Sequence, residues 1–199
     1  GKQLYIKIPR FLFFWAIGLC SLVSCQSLKL VPITVSDFAA FVEATGYLTD
    51  AEKYGWSVVQ QDVFTFEVVE HISWQCPTGK SNALAHFPVT QVSFNDAAAY
   101  CAWAEVRLPS YEEFWKLAQV DQRPIVKSMP AILPLASVNI VGNVWDITTN
   151  TRSDGQIRLA GGSYLCNANT CNGTHPTRIL FVDKETGNSH IGFSVVIGG

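Results

Sequence analysis

Two cysteines near the C-terminus are the residues of this chain whose type and spacing could do chemistry. Cys166 and Cys171 follow the run Gly161-Gly162-Ser163, and four residues separate the two thiols. A pair of thiolates suits a soft ion such as Cu(I). The spacing alone is a weak indication, because many unrelated cysteine pairs share it.

The histidines near this pair do not form a zinc-binding pattern. His175 and His190 flank the polar stretch after Cys166. Zinc sites combine His, Cys or Asp ligands at short, regular spacings, and no such set accompanies either histidine. Polar surface contacts are therefore predicted for both.

The segment that holds the cysteines is predicted to be an irregular loop between two strands. Adjacent glycines at 161 and 162 allow another backbone or a ligand to approach closely. Residues 165–175 are rich in short polar side chains and show neither helical nor strand periodicity. Strands are predicted at 158–164 and 191–197, so the loop would be presented by a fixed frame.

The N-terminal half is predicted to position this loop. An edge strand at 28–35 would precede a helix capped by Ser36 and ended by Gly46. Later helices would begin at Ser93 or Asn95, and at Ser110. Further predicted features are a short helix at 49–54, a strand at 62–74, inward-facing side chains at Ala99, Tyr100 and Trp103, and a capping box completed by Glu113.

Length and composition indicate one domain with an aromatic core. The chain has 199 residues with six Trp, six Tyr and twelve Phe, enough for one substantial interior. The formal net charge of −2 and the lack of a basic stripe exclude a nucleic-acid partner.

The first residues are predicted to be an export signal. Residues 1–24 combine basic residues with an apolar run too short to span a bilayer comfortably. The sequence ending at Cys25 resembles a bacterial lipobox, which predicts lipidation of Cys25 and membrane attachment through that anchor. The expected location is the bacterial envelope, in the outer membrane and exposed at the surface. The mature chain would be a single domain over 25–199, whose four cysteines allow three disulfide pairings that the sequence does not rank.

Four motifs in order resemble the formylglycine-generating enzyme family, also called sulfatase-modifying factors. They are residues 41–56, 88–114, 139–146 and 161–193, which are spread over most of the length of the mature chain. The resemblance implies an α+β, C-type lectin-like fold. In that fold two helices pack on small twisted antiparallel sheets, and the C-terminal half is rich in loops.

Members of this family divide into oxidases and display proteins. The oxidases convert a sulfatase cysteine to formylglycine with copper held by two cysteines, which correspond here to Cys166 and Cys171, with Ser163 beside them. Against this alternative, the basic and aromatic run that follows the second cysteine is replaced here by residues 172–177. The stretch before Asn139 is also shorter than in the oxidases.

These differences from the oxidases favour the display alternative, which is therefore the one predicted. The chain would be a surface lipoprotein and not an enzyme, similar to the variable proteins of diversity-generating retroelements. Its segment 163–191 would vary and bind a protein or other surface ligand, without a cofactor. The predicted binding residues are Tyr164, Asn167, Asn169, Thr170, Asn172, Thr174, His175, Thr177 and Arg178.

The resemblance also raises a calcium site as an alternative. Asn139, Gly142, Val144 and Asp146 match positions at which the family's enzymes hold Ca²⁺ through oxygen donors. The other interpretation is a turn in which Asn139 and Asp146 only bond backbone groups. Asp146 replaces the usual glutamate, which weakens the calcium interpretation.

Overall fold

A computed structural model describes residues 27–126, 132–166 and 173–198. The predicted signal segment and Cys25 lie outside these residues. Within the described part of the chain, no helix is long and apolar enough to cross a bilayer.

The described residues form an α+β architecture with short helices and small sheets, as predicted. The α-helices are α1 (Val35–Thr45), α2 (Asp50–Tyr54), α3 (Phe94–Ala104) and α4 (Tyr111–Ala118). The strands are β1 (Lys29–Pro32), β2 (Trp56–Gln60), β3 (Phe66–Glu70), β4 (Trp145–Thr151), β5 (Ile157–Ala160), β6 (Phe181–Val182), β7 (Ile191–Gly192) and β8 (Ser194–Ile197).

The strands of the described residues group into three separate sheets. Strand β1 pairs antiparallel with β8, and β2 and β3 form an antiparallel hairpin. The third sheet has the order β6-β5-β4-β7, with β4 antiparallel to β5 and parallel to β7. Strand β4 is therefore central, and its start brings Trp145 opposite Ile191.

Each α-helix begins with a capping box, which explains where the helices start. In α3 and α4 the caps are Ser93 and Ser110, which confirms those two predictions. The cap of α1 is Thr34, so the predicted cap at Ser36 is wrong. Thr34 takes this role because Asp37 lies three residues on, where its amide donates to Thr34 Oγ1 and its carboxylate accepts from the Thr34 amide.

An aromatic cluster joins the first helix to the C-terminal strands. Phe38 is fully buried, and its ring contacts Trp74 and Phe193 at centroid distances of 5.4 and 6.4 Å. Tyr100 packs inward as predicted, but Trp103 is 42% exposed. Trp103 covers the outer edge of Phe41 instead, at 5.5 Å.

The predicted strand at 62–74 is only partly present. Residues 66–70 form β3, and a turn supported by the Asp62 side chain precedes it. Phe66 and Val68 remain 60% and 61% exposed on the hairpin. The hairpin therefore keeps an apolar outer face.

Candidate active site

Two of the motifs meet through backbone hydrogen bonds. The Gly142 amide donates to the Gly161 carbonyl at 2.7 Å, and the Tyr164 amide donates to the Asn143 carbonyl at 2.8 Å. Asn143 is buried at φ 60°, and its side-chain amide makes both hydrogen bonds to the Leu133 backbone. This pairing fixes the backbone of the Gly-Gly-Ser motif against the start of β4.

Two glycines allow the loop to return onto that motif. A Cβ at Gly162 would lie 2.7 Å from the Gly173 carbonyl carbon, and Gly162 has φ +74°. A Cβ at Gly173 would lie 2.9 Å from Trp145 Cζ2 and 3.0 Å from Cys166 Sγ. The close approach predicted at Gly162 is thus present, and its partner is the chain's own backbone.

Cys166 lies in the wall of a cavity of about 160 Å³. Its side chain is buried and engaged in a disulfide. Cys171 lies outside the described residues. The cavity is also lined by Trp145, Arg178, Leu180, Asn188 and His190, which mix apolar and polar groups.

A buried serine and histidine stand beside this cavity. Ser163 Oγ lies 3.0 Å from His190 Nδ1, and the Leu165 amide donates to the same Oγ at 3.3 Å. Burial lowers the pKa of His190 to about 4, so its ring is neutral at physiological pH. Because Oγ already accepts one hydrogen bond, the contacts favour Ser163 O–H donating to Nδ1, which leaves the proton on Nε2.

The far wall comes from the β2–β3 hairpin. The Asn188 side chain donates to Gln60 Oε1 at 3.0 Å, and the Gln60 amide donates to Ser189 Oγ at 2.9 Å. The Ser189 amide in turn donates to the Val58 carbonyl at 3.1 Å. Gln60 and His190 both line the cavity, and neither was predicted as a site residue. The surface contact predicted for His190 is wrong, because this residue is only 8% exposed.

Helix α4 holds the segment that carries Arg178. The Tyr111 hydroxyl donates to the Pro176 carbonyl at 2.6 Å and approaches the Arg178 carbonyl at 3.3 Å. The Arg178 amide donates to the His175 carbonyl at 3.0 Å. The backbone at Arg178 is therefore anchored, while its side chain is exposed at the cavity rim.

The residues predicted to bind a surface ligand do not share one environment. Tyr164 is only 7% exposed, because it packs with Val126 and Val138, so its predicted outward position is wrong. Thr174 is half-buried, whereas His175, Thr177 and Arg178 are exposed. The remaining predicted residues, Asn167, Asn169, Thr170 and Asn172, lie outside the described residues.

The side chains proposed for calcium bond the protein itself. The Asn139 amide group donates to the Asp121 and Arg123 carbonyls, and its oxygen accepts from the Val141 amide. Asp146 is 3% exposed, and its Oδ1 accepts from the Ser194 hydroxyl at 2.6 Å. These contacts favour the turn interpretation, and calcium binding stays a prediction.

Burial of Asp146 should make stability depend on pH. Desolvation raises its pKa to about 7, so the folded state retains a proton that the unfolded chain loses at lower pH. The contribution of Asp146 to the free energy of unfolding is complete below the pKa that this residue has in the unfolded chain. It is lost as the pH rises to the folded-state pKa of about 7. We expect the variant Asp146→Asn to gain about 2–3 kcal/mol relative to wild type between pH 5 and pH 9.

Urea unfolding at a series of pH values measures this difference. Titration of His190 occurs in both proteins and cancels in the comparison. Asp154→Asn is the matched control, because the Asp154 carboxylate is exposed and its pKa is lowered by Arg152. A difference for Asp146→Asn that stays constant over this range would contradict a protonated, buried carboxyl group.

Comparison with known proteins supports the family resemblance and the fold. Residues 26–123 match the model of the sulfatase-modifying factor enzyme 1-like domain. The structure resembles that of PvdO from Pseudomonas aeruginosa, with a TM-score of 0.60 and 13% identity over 85% of this chain and 78% of that chain. This likeness confirms the predicted C-type lectin-like fold.

Individual relatives support the formylglycine-generating enzyme family. The chain is 37% identical over 111 residues to the inactive Cα-formylglycine-generating enzyme 2 of Bos taurus, covering 46% of this chain and 36% of that protein. It is 41% identical over 99 residues to the formylglycine-generating enzyme of Thermomonospora curvata, covering 41% of this chain and 32% of that protein. The chain thus spans about a third of the length of each relative.

These relatives correct one prediction. The chain was expected not to be an enzyme, but its relatives are named as formylglycine-generating enzymes, so that expectation is wrong. The relation to retroelement variable proteins receives no support from them.

Proposed function

We propose that this chain is a formylglycine-generating oxidase, which converts a cysteine side chain within a polypeptide to an aldehyde. The observation that carries this proposal is the position of Cys166. This residue lines a cavity together with His190, and it follows the Gly-Gly-Ser motif by three residues. Cys166 and Cys171 would be the catalytic cysteines, and Ser163 would support them through His190.

Copper is the cofactor that the family resemblance implies, and the donor chemistry fits. Thiolate sulfur is a preferred ligand of Cu(I), and reduction of its disulfide would release Cys166 as one such ligand. Cys171 would provide the second. When bound, the copper ion would activate dioxygen.

The described residues would shield and orient the substrate thiol. An apolar part of the wall would exclude water from the cavity, and it is formed by Trp145, Leu180 and Ile191. The neutral His190 would offer its Nε2–H as a hydrogen-bond donor to a substrate thiolate. Substitution of Ser163 would release the ring and lose this orientation.

The reaction consumes a reductant in addition to oxygen. The substrate R–CH₂–SH, one O₂, two electrons and two protons give R–CHO, H₂S and H₂O. Dioxygen is the oxidant that accepts four electrons, of which the cysteine side chain supplies two. Two molecules of a small thiol supply the other two electrons and the two protons, and they join as a disulfide.

The shape of the surface favours a polypeptide substrate over free cysteine. A second cavity of about 340 Å³ adjoins the first, and four residues line both. These shared residues are Gln60, Val182, Asn188 and Ile191. Phe66 and Phe181 extend the second cavity along the hairpin, so the combined trough suits an extended segment.

The location proposed for the oxidase follows from its first residues. Lipidation at Cys25 would hold it in the bacterial envelope, in the outer membrane. Polypeptides that have been exported would reach the cavity there. This part of the proposal depends on residues 1–25 alone.

The test is oxidation of a peptide by the purified chain. The protein, loaded with Cu(I), is incubated with oxygen, a small thiol and a peptide that contains one cysteine. We expect an aldehyde that mass spectrometry and an aminooxy probe both detect, and no product without oxygen or from the matching serine peptide. Absence of aldehyde from protein that has bound copper would overturn the proposal.

A further inference from the structure

One described residue in the wall of the cavity that contains Cys166 is charged at neutral pH. Among the described residues that line it, Arg178 carries a positive charge, whereas His190 is neutral because burial lowers its pKa to about 4. The rest of the lining is apolar or carries neutral amides. The described lining of this cavity therefore presents one cation and no anion, and Asp183 belongs to the adjoining cavity.

No Asp or Glu carboxylate of the described residues neutralises this cation. All sixteen Asp and Glu residues of the sequence fall within the described ranges 27–126, 132–166 and 173–198. Within those ranges the ion pairs of arginine are those of Arg107, Arg123 and Arg152. Arg178 makes no ion pair there, so its guanidinium is available to a bound molecule.

The backbone holds this guanidinium at the rim. The contacts of Tyr111 with the Pro176 and Arg178 carbonyls tie the segment to α4. Leu180 and Val182 follow Arg178 along the same wall. An arginine at the rim of a cavity can bind a carboxylate through two parallel hydrogen bonds, and this bidentate geometry adds both energy and specificity.

We propose that Arg178 selects cysteine substrates with a carboxylate next to the reacting residue. This inference depends on the proposed oxidase function and names its substrate class. The carboxylate belongs to an adjacent acidic side chain or to the C-terminus of the polypeptide. Arg178 is then a specificity residue, which binds the substrate without taking part in the oxidation.

A charge exchange between enzyme and peptide tests this role. Four peptides of equal length carry one cysteine each: three are blocked at both ends and have Asp, Asn or Lys beside the cysteine. The fourth peptide has no charged side chain, and it ends in a free carboxylate beside the cysteine. For wild type we expect kcat/KM to be about tenfold higher with Asp than with Asn, and lower again with Lys.

Variants of Arg178 should change the preference among these peptides. Arg178→Gln should remove the preference for Asp, and Arg178→Glu should reverse it in favour of Lys. Lys80→Glu is the control for net charge, because Lys80 is exposed and lies outside the cavity lining. Its peptide preference should match that of wild type.

The outcomes separate this inference from the function on which it depends. Equal oxidation of all four peptides by wild type would overturn the role of Arg178 and leave the oxidase proposal intact. Oxidation of none would overturn the oxidase proposal itself. An advantage of the fourth peptide over the Asn peptide supports a terminal carboxylate, and an advantage of the Asp peptide alone supports a side-chain carboxylate.

Discussion

Replacing Gly162 with alanine should lower the free energy of unfolding by about 3–5 kcal/mol and remove oxidase activity. Gly162 has φ +74°, a conformation that costs an alanine about 1–2 kcal/mol. The new Cβ would also lie 2.7 Å from the Gly173 carbonyl carbon and 3.0 Å from the Thr174 nitrogen. Both contacts are backbone atoms, so the loop would have to move away from Cys166.

A second glycine separates the effect of the positive φ from the effect of the backbone contacts. Gly155 has φ +84°, but a Cβ there would meet nothing within 4 Å. Gly155→Ala should therefore cost only about 1–2 kcal/mol and leave peptide oxidation unchanged. Urea unfolding and the aldehyde assay provide the two measurements. Equal destabilisation by both substitutions would contradict the close contact of Gly162 with the returning loop.

Replacing Cys166 with serine should abolish oxidation, with a loss in kcat on the order of 10³-fold or more. A serine oxygen is a hard donor and binds Cu(I) far less well than a thiolate. The same variant should therefore also lose stoichiometric Cu(I) binding, measured by competition with a coloured chelator. This second measurement does not depend on turnover.

Another cysteine of the chain serves as the control. Cys76 is a free, half-buried thiol that does not line the cavity with Cys166. Cys76→Ser should keep both copper binding and peptide oxidation. Retention of copper stoichiometry by Cys166→Ser would show that this thiol is not a ligand.

Local features of the fold could be predicted from sequence because their causes are local. Ser93 and Ser110 cap helices through contacts made three residues away. Gly162 could be identified as a close approach because adjacent glycines are rarely needed otherwise. The cap at Thr34 was missed because Ser36 offered an equally plausible side chain two residues later.

The composition of the site could not be predicted in the same way. Ser163 and His190 are 27 residues apart, and Gln60 reaches Asn188 across 128 residues. Such contacts depend on how β2 packs against the segment before β7, which has no local pattern. Gly173 also gave no indication of its contact with Cys166 Sγ, because the loop that returns it is irregular.

The buried position of Cys101 on α3 has a consequence for disulfide exchange. Burial raises the pKa of this thiol to about 11, so it remains protonated in any physiological compartment. Only a thiolate attacks a disulfide, and a protonated interior thiol cannot exchange with the bond at Cys166. The buried thiol of Cys101 therefore leaves intact the disulfide of Cys166, the residue on which catalysis would depend.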